Sequence, residues 1–181
     1  MNLLYPLIKI LGLLISAHKR NSIILEIKPS VVFFSADHAD SDSPLSPIDF
    51  GNSAVDYSTY INQLTAVGIQ GGFFVEPNID EIKGASKAGA QSVLINCSGF
   101  TTARNMDDAQ MELDRIDKAT QFALKQNLVV IAGRGINYKN VKPLNELNVF
   151  DEFIVGNAVC IRAMLVGFEK AVSEMKHLLE K

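Results

Sequence analysis

Two glycine-rich segments near the end of the chain constrain its fold more than any other feature. The first, at residues 132–138, reads Ala-Gly-Arg-Gly-Ile-Asn-Tyr, and the second, at residues 155–158, reads Val-Gly-Asn-Ala. Each follows an apolar run that is typical of a strand, at residues 128–131 and 152–155, and each precedes a stretch with helical spacing. Two successive strand–glycine–helix units indicate an α/β chain with neighbouring parallel strands.

The same alternation extends over most of the chain. Runs rich in β-branched and aromatic residues predict strands at residues 31–34, 71–76, 92–96, 128–132 and 153–155. Stretches with helical spacing predict helices at residues 57–67, 78–88, 107–125, 140–147 and 158–179. A sixth strand is expected at residues 22–26 or within the first few residues.

Strands that alternate with helices predict a parallel sheet with outer helices, and tandem units of this kind are typical of a (β/α)8 barrel of the TIM type. A complete barrel usually needs roughly 250 residues, and this chain has 181. We therefore expect a single domain over residues 1–181. It should be an incomplete barrel of five or six parallel strands, with βα units over residues 22–181.

An apolar segment at residues 1–21 precedes these units. Within it, residues 3–15 carry the single charge of Lys9, and basic residues follow at 18–20. A signal peptide has its basic residues before the apolar run, and a membrane span needs about 20 apolar residues. We expect a helix that is buried or faces a partner, with a membrane-surface anchor and a signal-like segment as alternatives. We hypothesise that it covers the side of the sheet where strands are missing, or forms a dimer face.

Composition and charge exclude several classes of function. With 48% apolar and 20% charged residues, the chain is globular rather than disordered. The net charge of −3, without a Lys/Arg block, argues against nucleic acid as a partner. Cys97 and Cys160 are too few and too far apart for a disulfide framework or a zinc site, which favours the reducing cytoplasm as the compartment.

Two further features allow a functional interpretation beside a structural one. His38 lies among Asp37, Asp40 and Asp42, which allows a metal site but is more typical of a solvated loop. Cys97 follows a predicted strand, where barrel active sites lie, but no histidine neighbours it in the sequence. We interpret the loop as solvated and the cysteine as a small core residue.

The two glycine segments form the candidate binding site. The loops after the last strands of such barrels commonly bind phosphate through backbone N–H groups and a helix N-terminus. The predicted phosphate-binding residues are Gly133, Arg134, Gly135, Gly156, Asn157 and Ala158. The alternatives are a surface or salt-bridged role for Arg134, a helix N-cap for Asn157 and a purely structural turn for the glycines.

The chain resembles the pyridoxine 5'-phosphate synthase family, mainly over residues 60–181. The segments that carry the resemblance, in the same order and spacing, are residues 66–69, 80–85, 88–90, 132–141, 152–158 and 171–176. The resemblance implies a (β/α)8 barrel that condenses 1-deoxyxylulose 5-phosphate with 3-amino-2-oxopropyl phosphate. It also implies that neither a metal nor an organic cofactor is needed, and that the protein assembles as an octamer of dimers.

The sequence departs from that family where the catalytic side chains are expected. It has no counterpart to the Asn-x-Asp-His motif or the His- and Arg-rich loop of the family's first two strands. The family's catalytic Glu lies in an Asn-Leu-Glu pattern, for which the nearest text, at residues 2–4, reads Asn-Leu-Leu. Residues 94–99 read Leu-Ile-Asn-Cys-Ser-Gly where the family has Glu and His before Thr-Gly. Arg134 occupies the family's catalytic His position, and Asn157 replaces a second His.

These losses bear directly on the reaction. Ring closure between an amine and a carbonyl needs groups that transfer protons near neutral pH, and arginine stays protonated. We therefore expect a synthase-like protein of vitamin B6 biosynthesis whose catalytic His and Glu positions are lost, a pseudoenzyme candidate. The alternative is a non-catalytic phosphometabolite-binding or assembly protein derived from the family. The expected partners are a phosphorylated small molecule and either further copies of the chain or a full-length synthase.

Overall fold

The computed structural model describes residues 12–16, 28–36, 46–53 and 55–180. In these residues six parallel strands form one sheet, and their spatial order follows their order along the chain. They are β1 (Gly12–Ser16), β2 (Val31–Ser35), β3 (Gln70–Val75), β4 (Ser92–Asn96), β5 (Val129–Gly133) and β6 (Glu152–Phe153). This arrangement confirms the expected α/β fold, an incomplete TIM-type barrel.

Helices connect and follow the strands. They are α1 (Tyr57–Ala66), α2 (Ile79–Lys87), α3 (Ser98–Thr101), α4 (Met106–Lys125), α5 (Val141–Glu146), α6 (Asn157–Val166) and α7 (Phe168–Leu179). Asp56, Asn78 and Asn105 cap α1, α2 and α4, because the side chain of each accepts a backbone N–H hydrogen bond at 2.8 to 3.1 Å. Within the described part of the chain, no helix has the length and apolar character that crossing a membrane requires.

Both faces of the sheet are buried along β2, β3, β4 and β5, which explains why these strands read as almost continuous apolar runs. On the face toward the helices, strand residues such as Phe73 and Ile95 pack with Ile82 and Ile116. The opposite face, called the inner face below, carries a separate cluster of Val31, Phe33, Phe74, Leu94 and Ile131. Gly72 lies beside this cluster, where a Cβ atom would come within 2.7 Å of the Phe33 ring.

The N-terminal segment corrects one expectation. Instead of a helix, residues Gly12–Ser16 form β1, which pairs in parallel with β2 so that Gly12 lies opposite Val31. A short apolar run is compatible with either structure, and here the edge of β2 supplies hydrogen-bond partners that favour a strand. The sixth strand of the described sheet therefore lies at residues 12–16, between the two positions that the sequence predicted. The alternative position at residues 22–26 and the acidic loop around His38 lie outside the described residues.

The end of the chain corrects a second expectation. The single helix predicted over residues 158–179 is two helices, α6 and α7, separated at Gly167. Gly167 has a φ of +86°, a left-handed conformation that interrupts a right-handed helix and that glycine adopts readily. Arg162 of α6 and Glu174 of α7 join the two helices through paired hydrogen bonds of 2.7 and 3.0 Å. The result is a fixed helical pair at the end of the sheet.

Candidate functional site

The candidate site lies where the parallel strands end. All strands of a parallel sheet point the same way, so the residues that follow β3, β4, β5 and β6 gather along one edge. In (β/α) barrels this carboxyl edge holds the active site. Both glycine segments of the sequence lie at this edge, after the neighbouring strands β5 and β6.

The first segment combines a buried glycine with an exposed turn. Gly133 ends β5 opposite Asn96 of β4, and its carbonyl accepts a 2.9 Å hydrogen bond from the Cys97 N–H. Arg134 and Gly135 follow, both exposed and both in the left-handed region, with φ of +75° and +71°. A Cβ atom at position 135 would collide with the Thr101 side chain. Glycine is therefore required there, whereas Arg134 adopts a conformation that is unfavourable for its residue type.

The Arg134 side chain lies over the inner face of the sheet. Its Cζ atom is 5.8 Å from the centre of the Phe74 ring, a distance typical of a cation–π contact. Phe74 belongs to the buried inner-face cluster, so the guanidinium group marks the boundary between that cluster and the carboxyl edge.

Two asparagines fix the rest of the first segment. The Asn140 side chain accepts a hydrogen bond from the Asn137 N–H at 2.7 Å and donates one to the Gly135 carbonyl at 3.0 Å. The Asn137 side chain in turn accepts from the Lys139 N–H at 2.8 Å. These contacts hold the loop in one shape before α5 begins.

The second segment leads from β6 into α6. Gly156 is the N-cap residue, and its carbonyl accepts the N–H groups of Val159 and Cys160 at 3.0 and 3.2 Å. Asn157 is the first residue of the helix rather than its N-cap, and no side chain caps the helix. The N–H groups of Asn157 and Ala158 have no acceptor within the helix, as at the start of any helix. Unsatisfied donors at the positive end of a helix dipole favour an anion.

The structure brings the six predicted residues to one edge of the sheet. Ala132 lies opposite Phe153 in the β5–β6 register, and a Cβ atom at Gly133 would be 3.9 Å from the Ile154 Cβ. The two segments therefore leave the sheet side by side, one strand apart. Phosphate binding by these residues stays a prediction.

Sequence reasoning missed a polar cluster at the same edge. Asn96, which is 7% exposed, donates a hydrogen bond to Glu76 Oε1 at 2.7 Å, and its own side-chain oxygen accepts from the Ser98 N–H at 3.1 Å. Arg115 of α4 lies 3.8 Å from Glu76 Oε2 and 3.5 Å from Glu112. The sequence did contain a signal for this cluster, because polar residues stand where two buried apolar runs end: Glu76 directly after β3 and Asn96 as the last residue of β4.

Cys97 has no role as a nucleophile in this arrangement. It is fully buried, and burial, reinforced by the negative charge of Glu76, raises its pKa to about 12. A thiol with this pKa is protonated at neutral pH and is a poor nucleophile. The interpretation of Cys97 as a small core residue is confirmed. Among the residues described in the structure, no group of three or more His, Cys, Asp or Glu side chains could hold a metal ion.

Comparison with known proteins gives consistent results. The family described as pyridoxal phosphate biosynthesis protein PdxJ matches residues 14–181. Among curated relatives, pyridoxine 5'-phosphate synthase of Geobacter sp. (strain M21) is 38% identical over 119 residues, which are 66% of this chain and 50% of that protein. The protein of the same name from Synechococcus sp. (strain JA-2-3B'a(2-13)) is 30% identical over 158 residues, 87% of this chain and 66% of that one. The chain thus spans about half the length of several of the curated relatives it matches.

Solved structures with a similar fold are more distant in sequence. A xylose isomerase domain protein from Planctomyces limnophilus is 12% identical, with a TM-score of 0.56 over 94% of this chain and 70% of that one. A chain of the Amycolatopsis orientalis BexX/CysO complex is 16% identical, with a TM-score of 0.50 over 87% of this chain and 59% of that one. At these identities the likeness supports the fold and carries no information on function.

Proposed function

Since the chain belongs to the family of the pyridoxal phosphate biosynthesis protein PdxJ, we propose that it is a pyridoxine 5'-phosphate synthase-like protein of vitamin B6 biosynthesis that binds a phosphorylated small molecule. One observation carries this proposal. The Gly133–Gly135 turn and the uncapped start of α6 lie side by side at the carboxyl edge of β5 and β6. Both present backbone N–H donors where barrel proteins commonly bind phosphate.

Each part of the site contributes in a different way. Gly156, Asn157 and Ala158 offer N–H groups at the positive end of the α6 dipole, which favours a dianion over a neutral ligand. Arg134 adds a planar cation that can make two parallel hydrogen bonds to phosphate oxygens. Gly135 lets the backbone turn in the small space beside Thr101.

The family's condensation of 1-deoxyxylulose 5-phosphate with 3-amino-2-oxopropyl phosphate needs more than binding. The titratable groups described at this edge include Cys97, which is buried and protonated, and two carboxylates that both face Arg115. These are Glu76, which also accepts a hydrogen bond from Asn96, and Glu112. Arg134 and Asn157 stand where the family has histidines and cannot relay a proton at neutral pH. We therefore expect the chain on its own to bind the substrates without forming pyridoxine 5'-phosphate.

The proposal also covers the cellular compartment of the protein and its protein partners. A cytoplasmic location agrees with an exposed, unpaired Cys160 and a buried, unpaired Cys97. Assembly with further copies or with a full-length synthase is the second candidate function, and large apolar side chains exposed on α6 favour it.

Binding is tested by thermal unfolding with and without ligand. 1-Deoxyxylulose 5-phosphate should raise the unfolding temperature in a concentration-dependent manner, and the unphosphorylated sugar should not. Arg134→Gln should weaken binding about 10-fold to 100-fold, because a hydrogen bond to a charged group contributes about 1.5–3 kcal/mol. Lys87→Gln is the matched control, since it removes the same charge from the last turn of α2, which runs away from the carboxyl edge.

Two results would contradict the proposal. The first is equal stabilisation by the phosphorylated and the unphosphorylated sugar. The second is formation of pyridoxine 5'-phosphate from both substrates, detected by mass spectrometry above the background without protein, while the Geobacter sp. synthase serves as the positive control. Equal stabilisation would rule out a phosphate-binding site. Formation of pyridoxine 5'-phosphate would show that catalysis persists without the family's histidines.

A further inference from the structure

A half-buried carboxylate lies at the carboxyl edge of the sheet, directly after β3. Glu76 follows Val75, the last residue of β3, and stands two residues after Phe74 of the inner-face cluster. Side chains alternate between the two faces of an extended chain, so Glu76 belongs to the inner face. The 2.7 Å hydrogen bond from Asn96 agrees, because Asn96 stands two residues after Leu94 of the same cluster. The Glu76 carboxylate therefore lies at the carboxyl end of the inner face.

One oxygen of this carboxylate is held, and the other is open to a ligand. Oε1 accepts the hydrogen bond from Asn96, which fixes the direction of the side chain. Oε2 lies 3.8 Å from Nη2 of Arg115, a separation that is too long for a hydrogen bond. In the described part of the chain no closer donor reaches Oε2, and the Glu76 side chain is 41% exposed. The Oε2 atom can therefore accept a hydrogen bond from a bound molecule.

The charged group around Glu76 carries an excess of negative charge. Glu76 and Glu112 share a single guanidinium group, that of Arg115, at 3.8 and 3.5 Å. The nearby cation Lys83 of α2 is paired with Asp80 at 3.0 Å. Two carboxylates that face one arginine leave one negative charge without a partner in this group. A positively charged group of a ligand would balance it.

The glycine segments lie within reach of this carboxylate. Gly133, at the end of β5, is opposite Asn96, so Glu76 and Gly133 neighbour Asn96 from its two sides. β3 and β5 are two strand spacings apart, about 10 Å. The hydrogen bond to Asn96 directs the Glu76 carboxylate toward β5 and shortens this separation. A chain of about three carbon atoms, with a hydrogen bond at each end, can span such a distance.

We propose that Glu76 binds a protonated amino group of the ligand whose phosphate the glycine segments bind, so that this residue makes the site prefer phosphorylated amines to phosphorylated alcohols. The inference rests on the proposed phosphate site and concerns the other end of the same ligand. An alkylamine is protonated at neutral pH, and its N–H groups can donate to the Glu76 Oε2 atom. Arg115 competes for this oxygen, but it makes no hydrogen bond there, so a closer donor can displace it.

Two probes that differ in one group test this role. 3-Aminopropyl phosphate and 3-hydroxypropyl phosphate share the carbon chain and the phosphate, and isothermal titration calorimetry on the full chain gives their dissociation constants. The amine should bind about 5-fold to 10-fold more tightly, because it adds a charge-assisted hydrogen bond at a half-exposed carboxylate. Glu76→Gln removes the charge and keeps an oxygen for the Asn96 hydrogen bond. This variant should lose the preference for the amine and keep the affinity for the alcohol.

Two further variants separate a direct contact from a general effect of charge or structure. Asp80→Asn is the matched control, since Asp80 lies four residues after Glu76, is 81% exposed and pairs with Lys83. Its preference for the amine should equal that of the original chain. Arg115→Gln should increase the preference several-fold, because the guanidinium group then no longer competes for the Glu76 oxygen.

Several outcomes would overturn the proposal. Equal affinity of the original chain for the two probes refutes it without any variant, so the test does not depend on whether Glu76→Gln folds. An equal loss of preference in Asp80→Asn would assign the effect to overall charge. A lower preference in Arg115→Gln would assign it to the structure of the charged group rather than to contact with Glu76. If neither probe binds, the phosphate site itself is refuted, whereas equal binding of both probes leaves that site intact and refutes the role of Glu76 alone.

Discussion

Gly135→Ala should destabilise the protein by about 2–5 kcal/mol, because two separate effects act at this position. The left-handed φ of +71° is unfavourable for any residue with a Cβ atom, by roughly 1–2 kcal/mol. In addition, the new methyl group would collide with the Thr101 hydroxyl and approach the Thr101 Cβ to 2.9 Å, and overpacking of this kind destabilises by about 1–3 kcal/mol. The turn that presents Arg134 would be displaced, so phosphate-dependent stabilisation should be lost as well.

The measurement is urea unfolding followed by circular dichroism, with the free energy of unfolding taken from linear extrapolation. Gly68→Ala is the matched control, because its φ of +77° has the same backbone cost and no heavy atom lies within 4 Å of the added Cβ. It should therefore lose only the part of the stability that depends on φ, roughly 1–2 kcal/mol. In the double variant Gly135→Ala/Thr101→Ala, the loss of unfolding free energy caused by the collision should be recovered. The loss caused by the left-handed φ should remain. The reasoning fails if both glycine variants are equally stable, or if removing Thr101 recovers nothing.

Two further predictions follow from buried groups. Burial, reinforced by the charge of Asp151, raises the pKa of Glu152 above its usual 4.5, so the folded state keeps a proton that the unfolded state releases and stability falls as pH rises through this window. Glu152→Gln should therefore be more stable than the original chain at pH 7 and should lose this pH dependence in urea unfolding between pH 4 and 7. Glu169 is exposed, so Glu169→Gln should change neither the stability at pH 7 nor its pH dependence. If the two variants behave alike, the pH dependence does not come from Glu152. Iodoacetamide at pH 8 should modify exposed Cys160 and leave Cys97 intact until denaturant is added, as mass spectrometry can establish; early modification of Cys97 would contradict its burial.

Most of the secondary structure was predictable because the local patterns agree with the fold. The runs at residues 31–34 and 92–96 are buried on both faces of the sheet, so they read as continuous apolar segments and were found as strands. α4 was predicted within one residue, since its apolar spacing is regular. The error at residues 12–16 has a clear cause: a short apolar run fits a helix or a strand, and pairing with β2 decides between them.

The candidate site was only partly predictable. The glycine segments were visible in the sequence because a turn beside a strand end restricts residue type, as the left-handed Gly135 illustrates. The cluster of Glu76, Asn96 and Arg115 was not visible in the sequence. Its members lie just after β3, at the end of β4 and in α4, and they meet only when those elements pack together. Contacts between residues far apart in the chain leave no local pattern to detect.

The sequence by itself determined the parallel α/β class, the order of the units and the two glycine turns, because each depends on residue type within a short stretch. Only the tertiary structure decided that residues 12–16 of the first apolar segment form a strand, that Arg134 lies over the Phe74 ring and that the helical end divides at Gly167. The physical reason is that strand pairing, ring contacts and exposure are set by neighbours from distant parts of the chain.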